Sequence, residues 1–269
     1  MRIGFVVQRY GAEILGGSEY HCRLIAERIA ARHEVDVLTT CARDYVSWQN
    51  EYPEGTDRIR GVTVRRFANA RQRDIRAFNE YSDWIFSNGH SLADEMRWLE
   101  MQGPWCPALL EYLERHHRSY DALIFFTYLY APTVLGLKID PSRSILVPTA
   151  HDEPAIHLDI YKEAFRLPSA IAYNTESEKN FLKICFDIRV VAEETVGCGV
   201  DLLQGEADSS TIGGAGSQEG AGLRGEGRST ALGTGDHADE HDVDLFAQLK
   251  ARGIAFRRRH RLQGQFLLY

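Results

Sequence analysis

The clearest indication of the fold is Ile3-Gly4-Phe5-Val6-Val7, an apolar run that leads into a loop ending in Gly16-Gly17-Ser18 and then into a helical pattern. A short apolar run before a glycine-bearing loop predicts a buried strand followed by a helix. Backbone N–H groups at a helix N-terminus lack partners within the helix, and glycines let a ligand approach them. Gly16 and Gly17 are therefore candidate binding residues, although a strand-to-helix turn without a ligand would have the same sequence.

Strands and helices alternate through the first two hundred residues. The helical pattern runs on to Arg32, and β-branched runs at 35–40 and 62–67 predict two more strands. Alternation in the second of these predicts an edge or half-exposed strand, reached through a polar segment that contains Pro53-Glu54-Gly55. Residues 71–117 have a helical pattern. The alternation predicts an α/β fold built on a doubly wound parallel sheet.

Three further apolar runs, at 122–126, 144–148 and 170–173, each end in a polar loop. Continuous apolar runs of this length are typical of parallel strands that helices cover on both faces. Ligands of open parallel α/β sheets bind outside the carboxyl ends of the strands, so these loops are expected to share one crevice. The residues expected there are Gly16, Gly17, Tyr128, His151, Asp152, Thr175 and Glu176.

The loop after the second of these runs contains His151, Asp152 and Glu153. An imidazole at the mouth of a buried strand can donate to a sugar hydroxyl or a phosphate oxygen, and it can also be a solvated turn residue. The two carboxylates can accept hydrogen bonds from ligand hydroxyls, or they can cap the helix that follows Pro154. We treat all three as candidate site residues.

A group of aromatic residues lies in the helical region between 71 and 117. Aromatic faces stack on sugar rings, and large aromatic side chains also pack in cores, which is the more frequent outcome. The members of the group are Tyr81, Trp84, Phe86, Trp98 and Trp105.

Composition excludes several classes of protein. The chain has 269 residues, of which 44% are hydrophobic and 26% charged, and its net charge of -7 argues against a nucleic-acid partner. No apolar run approaches the roughly 20 residues of a membrane span, and the N-terminus leads into a strand, so we expect a cytoplasmic protein. The five cysteines are scattered, which predicts reduced thiols. No Asp-x-Asp pair lies in a plausible metal loop, and we expect neither a metal nor a cofactor.

Four segments in order carry a resemblance to a known family. They are Ile3 to Tyr10 with the Gly16-Gly17-Ser18-Glu19 turn, Thr149-Ala150-His151-Asp152, Tyr173-Asn174-Thr175-Glu176-Ser177-Glu178, and Gly197-Cys198-Gly199-Val200-Asp201. Together they resemble the N-terminal half of retaining GT-B glycosyltransferases of family 4, over residues 1–201. The resemblance implies a Rossmann-like domain that binds mainly the acceptor and faces a second such domain that holds most of the nucleotide-sugar donor.

The function implied by the resemblance is transfer of a sugar from a nucleotide diphosphate to an acceptor hydroxyl with retention of configuration, as in polysaccharide biosynthesis. It implies that Gly16 and Gly17 border the donor phosphates and the acceptor. It also implies that His151 reaches the transferred sugar, which makes it the candidate catalytic residue. The substrate-binding candidates are Gly16, Gly17, Tyr128, Asp152, Glu153, Thr175 and Glu176. The expected partners are a nucleotide-sugar and a carbohydrate or lipid-linked acceptor, the latter compatible with peripheral membrane contact.

The remainder of the chain departs from this pattern. Residues 202–245 are rich in small and acidic residues, so we expect a disordered low-complexity linker. Out-of-frame translation is an alternative origin for a tract of this composition. Residues 246–269 resemble the start of the donor domain. The expected domains are thus 1–201, 202–245 and 246–269, and transfer by the chain alone is expected to be very weak or absent.

Two other functions remain open. A non-catalytic sugar- or nucleotide-binding module would bind the same ligands without forming product. A dinucleotide-dependent oxidoreductase is disfavoured, because the first loop lacks G-x-G-x-x-G and the second strand ends in Thr39-Thr40 with no acid for a ribose.

Overall fold

A computed structural model of the chain describes residues 1–198. Within this range the protein is an α/β domain built on one eight-stranded sheet, which confirms the predicted class. The predicted linker at 202–245, the predicted donor-domain start at 246–269 and the residues 199–201 of the last motif lie outside the described residues.

The strands follow the spatial order β3-β4-β2-β1-β5-β6-β7-β8. All neighbouring pairs are parallel except β3 and β4, which form an antiparallel hairpin. The order reverses direction between β1 and β5, as it does in doubly wound sheets. The strands are β1 (Arg2–Val6), β2 (Glu34–Thr40), β3 (Gly55–Ile59), β4 (Val62–Phe67), β5 (Ala122–Phe126), β6 (Ser144–Val147), β7 (Ala170–Tyr173) and β8 (Ala192–Thr195).

Helices flank this sheet. They are α1 (Gly17–Ala30), α2 (Ile75–Ser87), α3 (Leu92–Gln102), α4 (Pro107–His116), α5 (Ala131–Gly136), α6 (Ile160–Ala164) and α7 (Glu176–Cys185). The first helix buries Cys22 and Ala26 with Phe5 and Val37 in one core. The other helices contribute to a second and larger core that includes Leu109. Two cores on one sheet are what apolar strands such as β5 require, because both of their faces must be covered.

The hairpin at one edge of the sheet was not predicted. Strand β3 is polar and exposed, and it pairs Thr56 with Arg65 and Asp57 with Val64. The turn that joins it to β4 places Arg60 and Gly61 at φ values of 47° and 88°, the left-handed conformations that tight hairpins use. Strand β4 is half-buried, as its alternation predicted, and β3 forms the edge beside it.

A buried polar network ties β1, β2 and β4 to the start of β5. The carboxylate of Asp36 lies 2.7 Å from Arg2 Nη2 and accepts a hydrogen bond of 2.7 Å from the Tyr120 hydroxyl. Arg65 Nε approaches the same oxygen at 3.4 Å. Because Asp36 is only 6% exposed, these partners compensate a charge that would otherwise be costly to bury.

A second polar cluster lies in the loop before β6. The carboxylate of Asp140 is hydrogen-bonded to His117 Nδ1 at 2.9 Å, Ser142 Oγ at 2.7 Å and Arg143 Nη1 at 2.7 Å. Burial alone would raise the pKa of Asp140, but these three partners outweigh it and lower the pKa to about 2. The cluster makes the stability of the domain sensitive to acid.

Within residues 1–198 the five cysteines are not joined by disulfide bonds. Within the same residues, no helix has both the length and the apolar character needed to cross a bilayer.

Candidate functional site

The predicted site residues follow strands that run parallel, so they lie at the carboxyl edge of the sheet. The loops in question follow β1, β5, β6 and β7, which occupy four adjacent positions in the sheet. Backbone hydrogen bonds join two of these loops, since Thr127 N donates to Val147 O and Tyr128 N donates to Pro148 O. We refer to these four loops as the carboxyl rim.

The loop after β1 is organised by a buried ion pair. Arg9 Nε donates to Glu19 Oε1 at 2.9 Å, and Ser18 Oγ donates to Glu19 Oε2 at 2.9 Å. A Cβ on Gly16, the N-cap of α1, would overlap the Glu19 carboxylate, whereas a Cβ on Gly17 would meet open space. Gly16 is therefore explained by the approach of Glu19, and the exposed backbone of Gly17 is the part of this turn open to a ligand.

Tyr128, Glu153 and His151 form a chain of side chains that leads from the core to the surface. Tyr128 is 1% exposed and its hydroxyl donates to Glu153 Oε1. Burial, followed by the charge of Glu153, raises the pKa of Tyr128, so its hydroxyl stays a donor at neutral pH. Glu153 Oε2 lies 3.8 Å from His151 Nε2, and the His151 side chain is 70% exposed. His151 thus extends outward from a fixed carboxylate, in reach of a ligand at the rim.

Asp152 lies in the same loop but turns to a different partner. Its Oδ1 is 3.0 Å from His157 Nε2, and both side chains are largely exposed. An exposed ion pair of this kind contributes little to stability. Asp152 is therefore at the rim, as predicted, with its carboxylate engaged by His157.

Glu178 joins the loops after β6 and β7. Its carboxylate accepts hydrogen bonds of 2.6 Å from the backbone N–H groups of Ala150 and Asn174, and the residue is 7% exposed. Burial raises the pKa of Glu178 even though these backbone donors favour its charged form. Glu178 was not among the predicted site residues, although Thr175-x-x-Glu178 is a capping-box pattern that could have identified it.

Thr175 and Glu176 lie where α7 begins. The Thr175 hydroxyl accepts a hydrogen bond of 3.0 Å from Glu178 N and caps the helix. Glu176 is exposed in the first turn, where a negative charge is favourable to the helix dipole. The structure places both residues at the rim, and the hydroxyl of Thr175 is used for capping.

Two threonines of the rim have unusual backbone conformations. Thr127 follows β5 with φ of 69°, and Thr149 follows β6 with φ of 53°. A left-handed conformation is strained for a β-branched residue, and such strain concentrates at functional sites. Neither hydroxyl oxygen has a hydrogen-bond partner among the described residues. Neither was predicted as a site residue, because a backbone conformation imposed by neighbouring loops leaves no local sequence pattern. Thr149 entered only as the first residue of a family-like segment.

The aromatic group predicted in the helical region lies on α2, α3 and the loop that follows α3. Trp98 is 2% exposed, donates to Ser82 and contacts Phe78 and Phe86, so the prediction of a core role holds for it. Trp84 and Phe86 are 40% and 39% exposed.

None of the rim residues lines the pockets found beside α4 and α5, between α3 and α6, or beside β3.

The end of β2 does not offer a carboxylate for a ribose. Thr40 Oγ1 donates to Gln8 O at 2.7 Å, which ties this strand end to the loop after β1. The first acid after the strand is Asp44, whose carboxylate accepts from Ser47 N at 2.6 Å, Val46 N at 3.0 Å and Ser47 Oγ at 2.9 Å. Asp44 therefore closes its own turn, which weakens the oxidoreductase alternative.

Within residues 1–198, no three His, Cys, Asp or Glu side chains are grouped so as to hold a metal ion. Comparison with known proteins gives no match to any family model and no significant similarity to a curated protein.

Proposed function

We propose that residues 1–198 form the acceptor-binding, Rossmann-like half of a retaining GT-B glycosyltransferase of the family 4 type. The observation that carries this proposal is the carboxyl rim, in which the loops after β1, β5, β6 and β7 lie side by side on one parallel sheet. The hydrogen bonds of Glu178 and the pair of Tyr128 with Glu153 join three of these loops. The four sequence segments that resemble the family provide the rest of the support.

In this proposal a sugar passes from a nucleotide diphosphate to an acceptor hydroxyl. The exposed His151 donates a hydrogen bond to the sugar, and the N–H groups at the start of α1 stabilise negative charge as the diphosphate departs. Positioning supplies much of the rate, because the hydrogen bonds of Glu178 and of Tyr128 with Glu153 hold the rim loops in place before the substrates arrive.

A second candidate is a domain that binds sugar nucleotides without transfer. This candidate is favoured because the two carboxylates beside His151 already have protein partners. Asp152 is engaged by His157, and Glu153 is engaged by Tyr128. Product formation from bound donor and acceptor distinguishes the two candidates, since only a transferase releases the nucleotide diphosphate.

Thermal unfolding of the full chain with UDP-, GDP- and ADP-sugars tests the proposal. A ligand at about 100 times its Kd stabilises the folded domain by about 2.7 kcal/mol, which is roughly 5–10 °C in Tm. His151→Ala should reduce this shift and leave the Tm without ligand unchanged, because the side chain is 70% exposed. His33→Ala is the control and should keep the shift, because this exposed histidine directly precedes β2 and lies at the opposite edge of the sheet. Stabilisation by NADH and by no sugar nucleotide would refute the proposal.

A further inference from the structure

Tyr130 projects from the loop after β5 and carries a hydroxyl that the described residues leave without a hydrogen-bond partner. Its ring meets the ring of Trp48 edge-on, with centroids 5.4 Å apart. Burial raises the pKa of Tyr130, and the charges that act on it belong to Glu19, Arg73, Arg9 and Glu153. The hydroxyl is therefore protonated at neutral pH and lies near groups from the loops after β1, β4 and β6.

Arg73 contacts the same tryptophan ring. Its guanidinium carbon is 5.1 Å from the centroid of Trp48 and 5.2 Å from that of Phe78. Nη1 donates to Gln102 Oε1 at 3.3 Å, and Nη2 donates to the backbone oxygen of Tyr45. The side chain is thus held in one orientation by neutral partners.

Among residues 1–198 no carboxylate forms an ion pair with Arg73, and the negative influence of Asp44 acts on it from beyond ion-pair distance. No ion pair within 4.0 Å joins it to any acid of residues 1–198, and its buried Nε has no hydrogen-bond acceptor. Arg9, on the same edge of the sheet, is neutralised by Glu19. Burial lowers the pKa of Arg73, which reflects the cost of keeping this cation away from water. A partly buried guanidinium without a directly paired carboxylate is unusual, since buried charges are ordinarily paired.

We propose that the acceptor carries an oxyanion, a phosphate or a carboxylate, which binds the guanidinium of Arg73 and accepts a hydrogen bond from the hydroxyl of Tyr130. This assignment rests on the proposed function and names the class of its acceptor. A guanidinium presents several donors in one plane and matches the geometry of both anions. The competing explanation is that Arg73 only fastens the loop at 44–48 to α3, through Tyr45 and Gln102.

Binding of defined probes to the full chain separates these explanations. Isothermal titration compares glucose 6-phosphate, glucuronate and farnesyl phosphate with neutral glucose. Glucose 6-phosphate represents an acceptor that is a sugar phosphate, and farnesyl phosphate represents an acceptor whose phosphate is attached to a lipid. The variants are Arg73→Gln and Tyr130→Phe, with Arg71→Gln as the control. Arg71 is exposed, lies two residues away and pairs with Glu100, so its substitution removes the same charge from the surface.

The wild-type chain should bind at least one anionic probe about tenfold more tightly than glucose, which is the scale of one charge-assisted hydrogen bond. Arg73→Gln should abolish this preference and Arg71→Gln should keep it. Tyr130→Phe removes one hydroxyl that has no described protein partner, so it should weaken the anionic probe severalfold without lowering the Tm. That variant keeps the test decisive if Arg73→Gln does not fold.

Equal binding of anionic and neutral probes would overturn the inference, as would equal losses in the Arg71 and Arg73 variants. If sugar nucleotides still stabilise the chain in that case, the inference alone has failed. If they do not, the proposed function has failed with it.

Discussion

The bridge formed by Glu178 gives the sharpest prediction for the carboxyl rim. In Glu178→Ala the backbone N–H groups of Ala150 and Asn174 lose their acceptor, and each bond to a charged group is worth about 1.5–3 kcal/mol. Both donors are partly buried, and removal of the carboxylate also relieves its desolvation. We therefore expect a net loss of about 3 kcal/mol, or roughly 6–12 °C in Tm for a domain of this size.

Glu178→Gln is the finer form of the same test. The amide oxygen can accept from one of the two N–H groups, but the amide nitrogen is a donor and faces the other donor. The loss of stability should be about half that of the alanine variant or more, roughly 1.5–3 kcal/mol. Because the bridge also fixes the loop that carries His151, the sugar-nucleotide binding that we propose should weaken in parallel.

Urea unfolding monitored by tryptophan fluorescence measures these losses. All four tryptophans lie within residues 1–198, so the signal reports on the described domain. The matched control is Glu176→Gln, which removes the same charge from the first turn of the same helix and affects an exposed side chain. It should cost no more than about 0.5 kcal/mol. Equal losses at positions 176 and 178 would refute the bridge and leave the helix dipole as the explanation.

Three further predictions concern stability. Gly16→Ala should cost about 1–3 kcal/mol of stability, because the added Cβ would overlap the Glu19 carboxylate. Gly17→Ala should be neutral or stabilising by up to about 1 kcal/mol, because its Cβ would meet open space. Calorimetry that ranks the two variants in the opposite order would contradict the role given to Glu19. Asp140, with its lowered pKa of about 2, should contribute about 2 kcal/mol above pH 4 that disappears as the pH falls towards 2. Asp140→Asn should therefore lower the urea midpoint at pH 7 and flatten the dependence of that midpoint on acid pH. If the midpoint depended on pH as in the wild type, the Asp140 cluster would not be a source of the acid sensitivity. Asp36→Ala should cost about 3 kcal/mol by urea unfolding, against no measurable change for the exposed Asp83→Ala.

Much of the architecture follows from local sequence. The apolar runs at β1, β5, β6 and β7 predict buried parallel strands, because strands covered on both faces need apolar residues at consecutive positions. The carboxyl-edge position of Tyr128, His151 and Glu153 then follows from the parallel direction alone. Strand β3 was missed because it is polar and exposed, and its pairing with β4 depends on a partner strand and a turn instead of on its own composition.

The candidate site shows the same division at finer scale. The sequence placed His151, Asp152 and Glu153 in one loop, but it gave no means of telling which carboxylate faces which partner. The structure pairs Glu153 with the buried Tyr128 and Asp152 with the exposed His157. Hydrogen bonds between residues 25 positions apart, as in the first pair, depend on how two strands are placed side by side.

The parallel α/β domain and the loops at its carboxyl edge can be predicted from the amino-acid sequence, because hydrophobic periodicity is a property of consecutive residues. The bridge that Glu178 forms between two of those loops, and the contacts of Trp48 with Arg73 and Tyr130, become visible only in the folded chain. The charges and hydrogen-bond partners of these residues come from segments far apart in the chain, and electrostatic compensation depends on distance in space.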